Sequence, residues 1–163
     1  MKKEMITIAY EVYDAHDSEL PAAYAELIEE AKAASKTSYA PYSKFHVGAA
    51  LRLANGVIVR GSNQENAVFP VTCCAERTAL YAAGAQYPDV AVTEIAIAVW
   101  REKDGLFLAT PASPCGMCRQ HLVETEQRHG QPIRVILYGT DESYVLPSAN
   151  LLLPLTFTGE ELG

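Results

Sequence analysis

The chain has 163 residues, of which 49% are hydrophobic and 20% are charged, and these proportions are typical of one soluble globular domain. Its 20 acidic and 13 basic residues give a formal net charge of −7, which disfavours a nucleic-acid partner because phosphates require basic contacts. No apolar segment approaches the roughly 20 residues that span a bilayer, and no apolar signal core follows the first residues. We therefore expect a cytoplasmic protein without a membrane or nucleic-acid partner.

The first part of the chain predicts an arm, a helix and a hairpin. Residues 6–12 alternate with period two, so we expect an N-terminal arm over residues 1–20 that contains an extra strand. Apolar side chains recur with helical spacing after Pro21 and predict an amphipathic helix over residues 21–35, where the main domain, residues 21–163, begins. Asn55 and Gly56 separate two apolar segments, which is a strong signal for a β-hairpin.

The second part predicts helices that alternate with buried strands. Residues 76–83 favour a helix that ends near Gly84, and a second helix is expected to begin after Pro114. Residues 95–100 and 133–138 are apolar on both faces, which requires helices on both sides of a sheet. The sequence therefore predicts an α/β fold.

Three cysteines stand at the predicted beginnings of two helices. Cys74 precedes one helix, and Cys115 and Cys118 are spaced so that both sulfurs lie on one face of the first turn of the other. Helix N-termini favour thiolates, and three thiolates suit a tetrahedral Zn²⁺ whose fourth position stays open to water, as in catalytic sites. Glu76 lies two residues after Cys74, which places a carboxylate that is not a ligand beside that position.

Other interpretations of the cysteines remain. A Cys-x-x-Cys pair by itself is more often a structural zinc corner or a redox pair. A closed zinc site would need a fourth ligand, for which His121 is the local candidate, and we rank it below water. Cys73 adjoins Cys74 directly, so both can hardly reach one tetrahedral ion, and we expect Cys73 to be a small buried apolar residue.

Residues 74–77 and 113–120 resemble the two metal motifs of the small, homotetrameric, zinc-dependent cytidine deaminases. Three further stretches resemble the base-pocket strand, the ribose-binding segment and the C-terminal segment of that family, namely residues 39–50, 61–67 and 152–157. The resemblance covers approximately residues 22–162. It implies a three-layer α-β-α sandwich with a mixed five-stranded sheet, and a homotetramer.

The resemblance also implies an activity, the hydrolytic deamination of cytidine and deoxycytidine to uridine and deoxyuridine plus ammonia, in pyrimidine salvage. Glu76 would transfer the protons. Arg77 would donate hydrogen bonds to the ligand sulfurs and offset the net negative charge of three thiolates on a divalent zinc.

Substrate contacts follow from the same resemblance. Phe45 would face the pyrimidine ring, Asn63 and Glu65 would bind the ribose 3′-hydroxyl, and the backbone of Ala75 would contact the base edge. Phe157 would reach the site of a neighbouring subunit. Phe69 stands where the family often has a tyrosine, so any hydroxyl contact there is lost.

Two alternative functions share the metal motifs. One is deamination of another aminated nucleoside, such as an aminonucleoside antibiotic. The other is a non-catalytic, zinc-stabilised interaction module. The segments around Phe45 and around Asn63 and Glu65 favour cytidine over the antibiotic, and a metal assay combined with a cytidine absorbance assay would separate all three functions.

Overall fold

A mixed β-sheet forms the centre of the chain, which is described over residues 1–16 and 19–163 by a computed structural model. Its strands are β1 (Glu11–Asp14), β2 (Phe45–Leu53), β3 (Ile58–Ser62), β4 (Val92–Arg101), β5 (Leu106–Phe107), β6 (Arg134–Leu137) and β7 (Glu142–Leu146). Their order across the sheet is β1-β7-β6-β4-β2-β3, and β5 pairs with the end of β4. Strands β4 and β6 are parallel, and the other pairs are antiparallel.

Three α-helices cover the two faces of this sheet in the described part of the chain: α1 (Ala22–Ser35), α2 (Ala75–Gln86) and α3 (Gly116–His129). On one face, α1 packs Leu27, Ile28 and Ala31 against even-numbered residues of β2, β4 and β6, namely Ala50, Ala96, Ala98 and Ile136. On the other face, odd-numbered residues of the same strands form the larger core with α2 and α3, which includes Leu51, Ile95, Ile97, Val135 and Leu137. The predicted three-layer α/β arrangement is confirmed, and its cause is the two-residue period of a strand that is buried on both faces.

The expectation of a five-stranded sheet is wrong, because the sheet has seven strands in the described residues. The sheet contains two short strands, β1 and β5, in addition to β2, β3, β4, β6 and β7. Glu11–Asp14 of the N-terminal arm pairs with the free edge of β7, and the chain turns back after Arg101 so that Leu106 and Phe107 pair with the end of β4. Both additions satisfy backbone groups that an open sheet edge would leave unpaired.

Several predicted boundaries agree with the structure. Helix α1 begins directly after Pro21, and the hairpin turn carries Gly56 at φ +84° between β2 and β3. Helix α2 continues two residues past Gly84, and α3 ends at Gly130 in the left-handed conformation that favours glycine. None of the helices in residues 1–16 and 19–163 has both the length and the hydrophobicity that crossing a membrane requires.

Two glycines let helices pack directly on strand backbone. A Cβ on Gly48 of β2 would lie 2.0 Å from the carbonyl oxygen of Ala31 in α1. A Cβ on Gly61 of β3 would lie 2.4 Å from the amide nitrogen of Ala79 and 2.5 Å from the carbonyl oxygen of Ala75, both in α2. Gly61 therefore sets how closely the first two turns of α2 approach the sheet.

We predict that Gly61→Ala lowers the free energy of unfolding by about 1–3 kcal/mol, because the methyl group meets helix backbone that cannot move without repacking. Urea denaturation monitored by circular dichroism measures the change. Gly159→Ala is the matched control, since a Cβ there meets open space. Equal stability of the two variants would contradict the close-packing role of Gly61.

Candidate metal centre

The N-termini of α2 and α3 bring three cysteine sulfurs together. Cys74 is the N-cap residue of α2 and Cys115 is the N-cap residue of α3, and neither side chain caps its helix by hydrogen bonding. The Cys74 and Cys115 sulfurs are 3.9 Å apart, and those of Cys115 and Cys118 are 3.5 Å apart. All three sulfurs lie within 4.8 Å of one another. The sequence-based ligand set therefore converges in space, although 41 residues separate Cys74 from Cys115.

The cluster fits a zinc ion. Zinc–sulfur bonds of about 2.3 Å in tetrahedral geometry separate the sulfurs by roughly 3.8 Å, close to the spacing in the chain. Among the described residues, this group of possible ligands contains the three cysteines and no histidine or carboxylate. The donor set thus provides three of the four positions of a tetrahedral site, which is the pattern of a catalytic metal centre.

Two rejected ligand candidates lie outside this group. His121 packs its ring against Tyr81, with 4.5 Å between ring centroids, and both side chains line a separate cavity between α2 and α3. Burial lowers the pKa of His121. Cys73 is half-buried rather than fully buried, and its backbone pairs with that of Gln64. Its side chain is not part of the sulfur cluster.

The cluster stabilises a thiolate. A hydrogen bond from Cys118, supported by the Arg77 guanidinium, lowers the pKa of Cys74 to about 5. The same hydrogen bond raises the pKa of Cys118, because its proton is held beside the Cys74 sulfur. Arg77 donates through Nη2 to the Thr72 carbonyl oxygen at 2.9 Å and lies 4.0 Å from the Cys74 sulfur. The guanidinium is thereby fixed with its charge beside a ligand sulfur.

Glu76 is the second residue of α2 and is only 5% exposed. Burial raises the pKa of its carboxyl group, and the nearby Cys74 sulfur adds to this effect. The side chain lines the same cavity as Cys74 and Cys115. A buried carboxyl group with a raised pKa beside a metal site is suited to accepting and returning protons.

One cavity of about 360 Å³ opens in front of these groups. Its lining contains most of the predicted site, namely Phe45, Asn63, Glu65, Cys74, Glu76 and Cys115. Most of the remaining wall is apolar or carries a small hydroxyl group, from Ser43, Val47, Thr72, Ile97, Val99, Ala112 and Ser113. The volume and the mixed lining are those of a small-molecule site.

Asn63 and Glu65 are held by the backbone around them. The Asn63 amide accepts from the Val47 amide at 2.8 Å and donates to the Phe45 carbonyl oxygen at 2.9 Å, so one N–H remains for a ligand. One oxygen of Glu65 accepts from the amides of Tyr42 at 2.9 Å and Ser43 at 3.2 Å, and the other oxygen is left for a ligand. Burial of Glu65 acts against ionisation, but hydrogen bonds from Ser43 and Tyr42 outweigh it and lower the pKa.

Phe157 lies apart from this arrangement. It is 58% exposed and does not line the cavity of its own chain, and its carbonyl oxygen accepts a hydrogen bond from Gln120 at 2.9 Å. Ala75 is the buried first residue of α2, so its backbone lies between Cys74 and Glu76.

Some cavity residues were not predicted from the sequence. Ile97 and Val99 form part of the wall, and strand alternation along β4 could have found them because odd positions face α2 and α3. Glu65 is held by the backbone amides of Tyr42 and Ser43. Because almost every residue has a backbone amide, no sequence signal identifies these two donors.

Comparison with known proteins points to one family. The profile of the cytidine and deoxycytidylate deaminase zinc-binding region matches residues 22–130. A cytidine deaminase of Halalkalibacterium halodurans is 38% identical over 136 residues, which are 83% of this chain and 95% of that protein. A cytidine deaminase of Sporosarcina psychrophila is 44% identical over 99 residues, which are 61% of this chain and 67% of that protein. The crystal structure of a cytidine deaminase from Burkholderia pseudomallei aligns with a TM-score of 0.68 at 39% identity, covering 82% of this chain and 98% of that one.

We predict that Cys118→Ala loses zinc, because two thiolates cannot complete the ligand set, whereas Cys73→Ser keeps one zinc per chain. Elemental analysis after extensive dialysis measures the metal. The serine variant is the matched control, since it also removes a thiol next to the cluster. Near-stoichiometric zinc in Cys118→Ala, with loss of zinc in Cys73→Ser, would show that the ligand assignment is wrong.

Proposed function

Because the chain belongs to the family of the cytidine and deoxycytidylate deaminase zinc-binding region, we propose that it deaminates cytidine and deoxycytidine by hydrolysis. The products are uridine or deoxyuridine and ammonia, and the reaction would serve pyrimidine salvage. The observation that carries this proposal is the convergence of three cysteine sulfurs and the buried Glu76 carboxyl at one cavity of about 360 Å³.

Cys74, Cys115 and Cys118 would hold the zinc ion. Zinc in such a site supplies Lewis-acid chemistry that activates a water molecule near neutral pH. The negative charge of three thiolates would weaken that effect. The N-termini of α2 and α3 and the guanidinium of Arg77 lie beside the sulfurs and counter this charge.

Glu76 is the proposed proton carrier. Its carboxylate would take one proton from the attacking water and deliver it to ring N3 while the water oxygen bonds to C4 of the pyrimidine. It would then pass the second proton of that water to the amine, whose bond to C4 breaks to release ammonia. This role requires a carboxyl group that is close to the sulfurs but is not a ligand. Glu76 meets the requirement because it lines the cavity and lies outside the sulfur cluster.

The cavity wall favours a nucleoside over a nucleotide. Phe45 offers a ring for the pyrimidine. The first-turn amide of Ala75 has no partner within the helix and would contact the base edge, as the family resemblance implies. The free N–H of Asn63 and the free oxygen of Glu65 suit a ribose hydroxyl, which both donates and accepts. In the described residues the lining carries two carboxylates and no lysine or arginine, so a 5′-phosphate would meet repulsion.

A homotetramer would complete the site. Leu155 is 94% exposed and Phe157 is 58% exposed on the C-terminal segment. Met117 in the first turn of α3 and Phe69 and Val71 in a short 3-10 helix before α2 are also exposed. Apolar surface of this kind usually marks an interface. We therefore infer that Phe157 of each subunit reaches the pyrimidine site of a neighbour, because it does not line its own cavity.

The function is tested with a panel of cytidine, deoxycytidine, their 5′-monophosphates and an aminonucleoside antibiotic, followed by ultraviolet absorbance. We predict turnover of the two nucleosides, and a kcat lowered by about 10²–10⁴ in Glu76→Gln with zinc content unchanged. The reason is that glutamine keeps the shape of the side chain but cannot take up and release a proton near neutral pH. Turnover of the antibiotic alone, or zinc binding without any turnover, would replace the proposal by one of the two alternative functions.

The shared site is tested by mixing subunits. Glu76→Gln and Phe157→Ala homotetramers, each checked by sedimentation, should recover activity when they are unfolded together and reassembled. Recovery is expected because some interfaces then combine an intact Glu76 with the Phe157 of another chain. Each variant reassembled alone is the control. An active monomer, or a hybrid no more active than the weighted sum of its parents, would exclude the contribution of Phe157 to a neighbouring site.

A further inference from the structure

Arg119, the residue after the ligand Cys118, connects two parts of the chain. Its Nε donates to the carbonyl oxygen of Pro114 at 2.8 Å, and its Nη1 donates to the carbonyl oxygen of Leu152 at 2.9 Å. Pro114 belongs to the loop that precedes α3, residues 113–115, which we call the metal loop, and Leu152 belongs to the C-terminal segment, residues 149–158. We propose that Arg119 is a positioning residue that couples metal binding to the ordering of the C-terminal segment. This inference rests on the metal site of the proposed function.

The bond to Pro114 controls the direction of a ligand side chain. The peptide unit that contains the Pro114 carbonyl is planar and also contains the amide of Cys115. A donor fixed on that carbonyl therefore fixes the peptide plane from which the Cys115 side chain departs. Pro114 is buried, so its carbonyl needs a partner within the protein, and Arg119 provides a charged one.

The bond to Leu152 lies in the middle of a longer attachment along α3. The buried carboxylate of Glu126 accepts from the amides of Ala149 at 2.8 Å and Asn150 at 3.2 Å, which fixes the beginning of the segment. Gln120 donates to the carbonyl oxygen of Phe157 at 2.9 Å and fixes its end. Of these three attachments, the one made by Arg119 also holds the metal loop.

The shape of the arginine side chain suits this bridge. A guanidinium is a rigid plane with donors on two sides, so one side chain can hold two carbonyl oxygens from segments far apart in sequence. A lysine has one ammonium group and cannot hold both carbonyls with a fixed distance between them. Because coupling between two binding events is reciprocal, a metal that orders the loop should also order the segment.

The consequence concerns the exposed residues of the segment. Leu155 and Phe157 lie three and five residues after Leu152, and the proposed tetramer places Phe157 in a neighbour's site. A subunit that has bound zinc would therefore present this segment in its ordered form, whereas a subunit without zinc would present a looser one. Arg119 would therefore transmit zinc binding in one subunit to the C-terminal segment, which completes the site of a neighbouring subunit.

We predict that Arg119→Ala raises the dissociation constant for zinc by about 10- to 100-fold, the usual effect of removing a group that orients a metal ligand. Competition with a chromogenic chelator measures it. Arg119→Lys should fall between the parent and the alanine variant. Arg128→Ala is the matched control on the same helix, since Arg128 donates to the carbonyl oxygen of Pro88 at 3.3 Å, outside both the loop and the segment, and should bind zinc like the parent.

Amide hydrogen exchange gives the second measurement. In the parent, removal of zinc should accelerate exchange in residues 149–158, and in Arg119→Ala this segment should exchange rapidly with or without zinc. Gln120→Ala should loosen only the residues around Phe157 and leave zinc affinity unchanged. Parent-like zinc affinity in Arg119→Ala would overturn the coupling. So would exchange in residues 149–158 of the parent that does not change when zinc is removed, or faster exchange that extends equally to β2 and β4.

The outcomes also separate this inference from the function on which it rests. A parent chain that binds zinc but does not deaminate cytidine contradicts the proposed function, while the zinc-dependent exchange of the segment still decides the coupling. A parent chain that binds no zinc overturns both.

Discussion

The spacing between two helix N-termini is the constraint on which the rest of this structure depends. Three sulfurs from two helices must lie within bonding range of one small ion, and the Cys74 and Cys115 sulfurs are 3.9 Å apart. This requires α2 and α3 to share one face of the sheet with their first turns side by side. Gly61 permits α2 to approach the strand backbone, and Arg119 fixes the loop that precedes α3. Residues that do not line the cavity thus determine its chemistry.

Charge balance connects the metal cluster to the choice of substrate. The carboxyl groups of Glu65 and Glu76 and the Cys74 thiolate concentrate negative charge around the cavity, and Arg77 lies beside the Cys74 sulfur to offset part of it. An uncharged nucleoside enters such a site without the repulsion that a phosphate would meet. The chain as a whole also carries a net charge of −7, which repels a phosphate in the same way.

The C-terminal segment is unusual in being firmly attached and yet exposed. Glu126, Arg119 and Gln120 hold its backbone to α3, while the side chains of Leu155 and Phe157 face outward. Ordering the backbone in advance reduces the entropy that an interface must overcome when it forms. A rigid segment that carries exposed apolar side chains is therefore well prepared for a neighbouring subunit.

The sequence by itself determined the helices, the hairpin, the two cysteine motifs and the position of Glu76 next to Cys74, because each depends on residues close together along the chain. Only the tertiary structure decided that Glu65 accepts hydrogen bonds from the amides of Tyr42 and Ser43. It likewise decided that the Asn63 side-chain amide hydrogen-bonds to the backbone of β2. It also decided that the arm pairs with β7 from Glu11 onward and that Leu106 and Phe107 pair with β4, which gives seven strands rather than five. The position of Phe157 outside its own cavity has the same origin. Such features arise from contacts between distant segments, often through backbone groups that nearly every residue has. Local spacing and side-chain chemistry therefore cannot predict them.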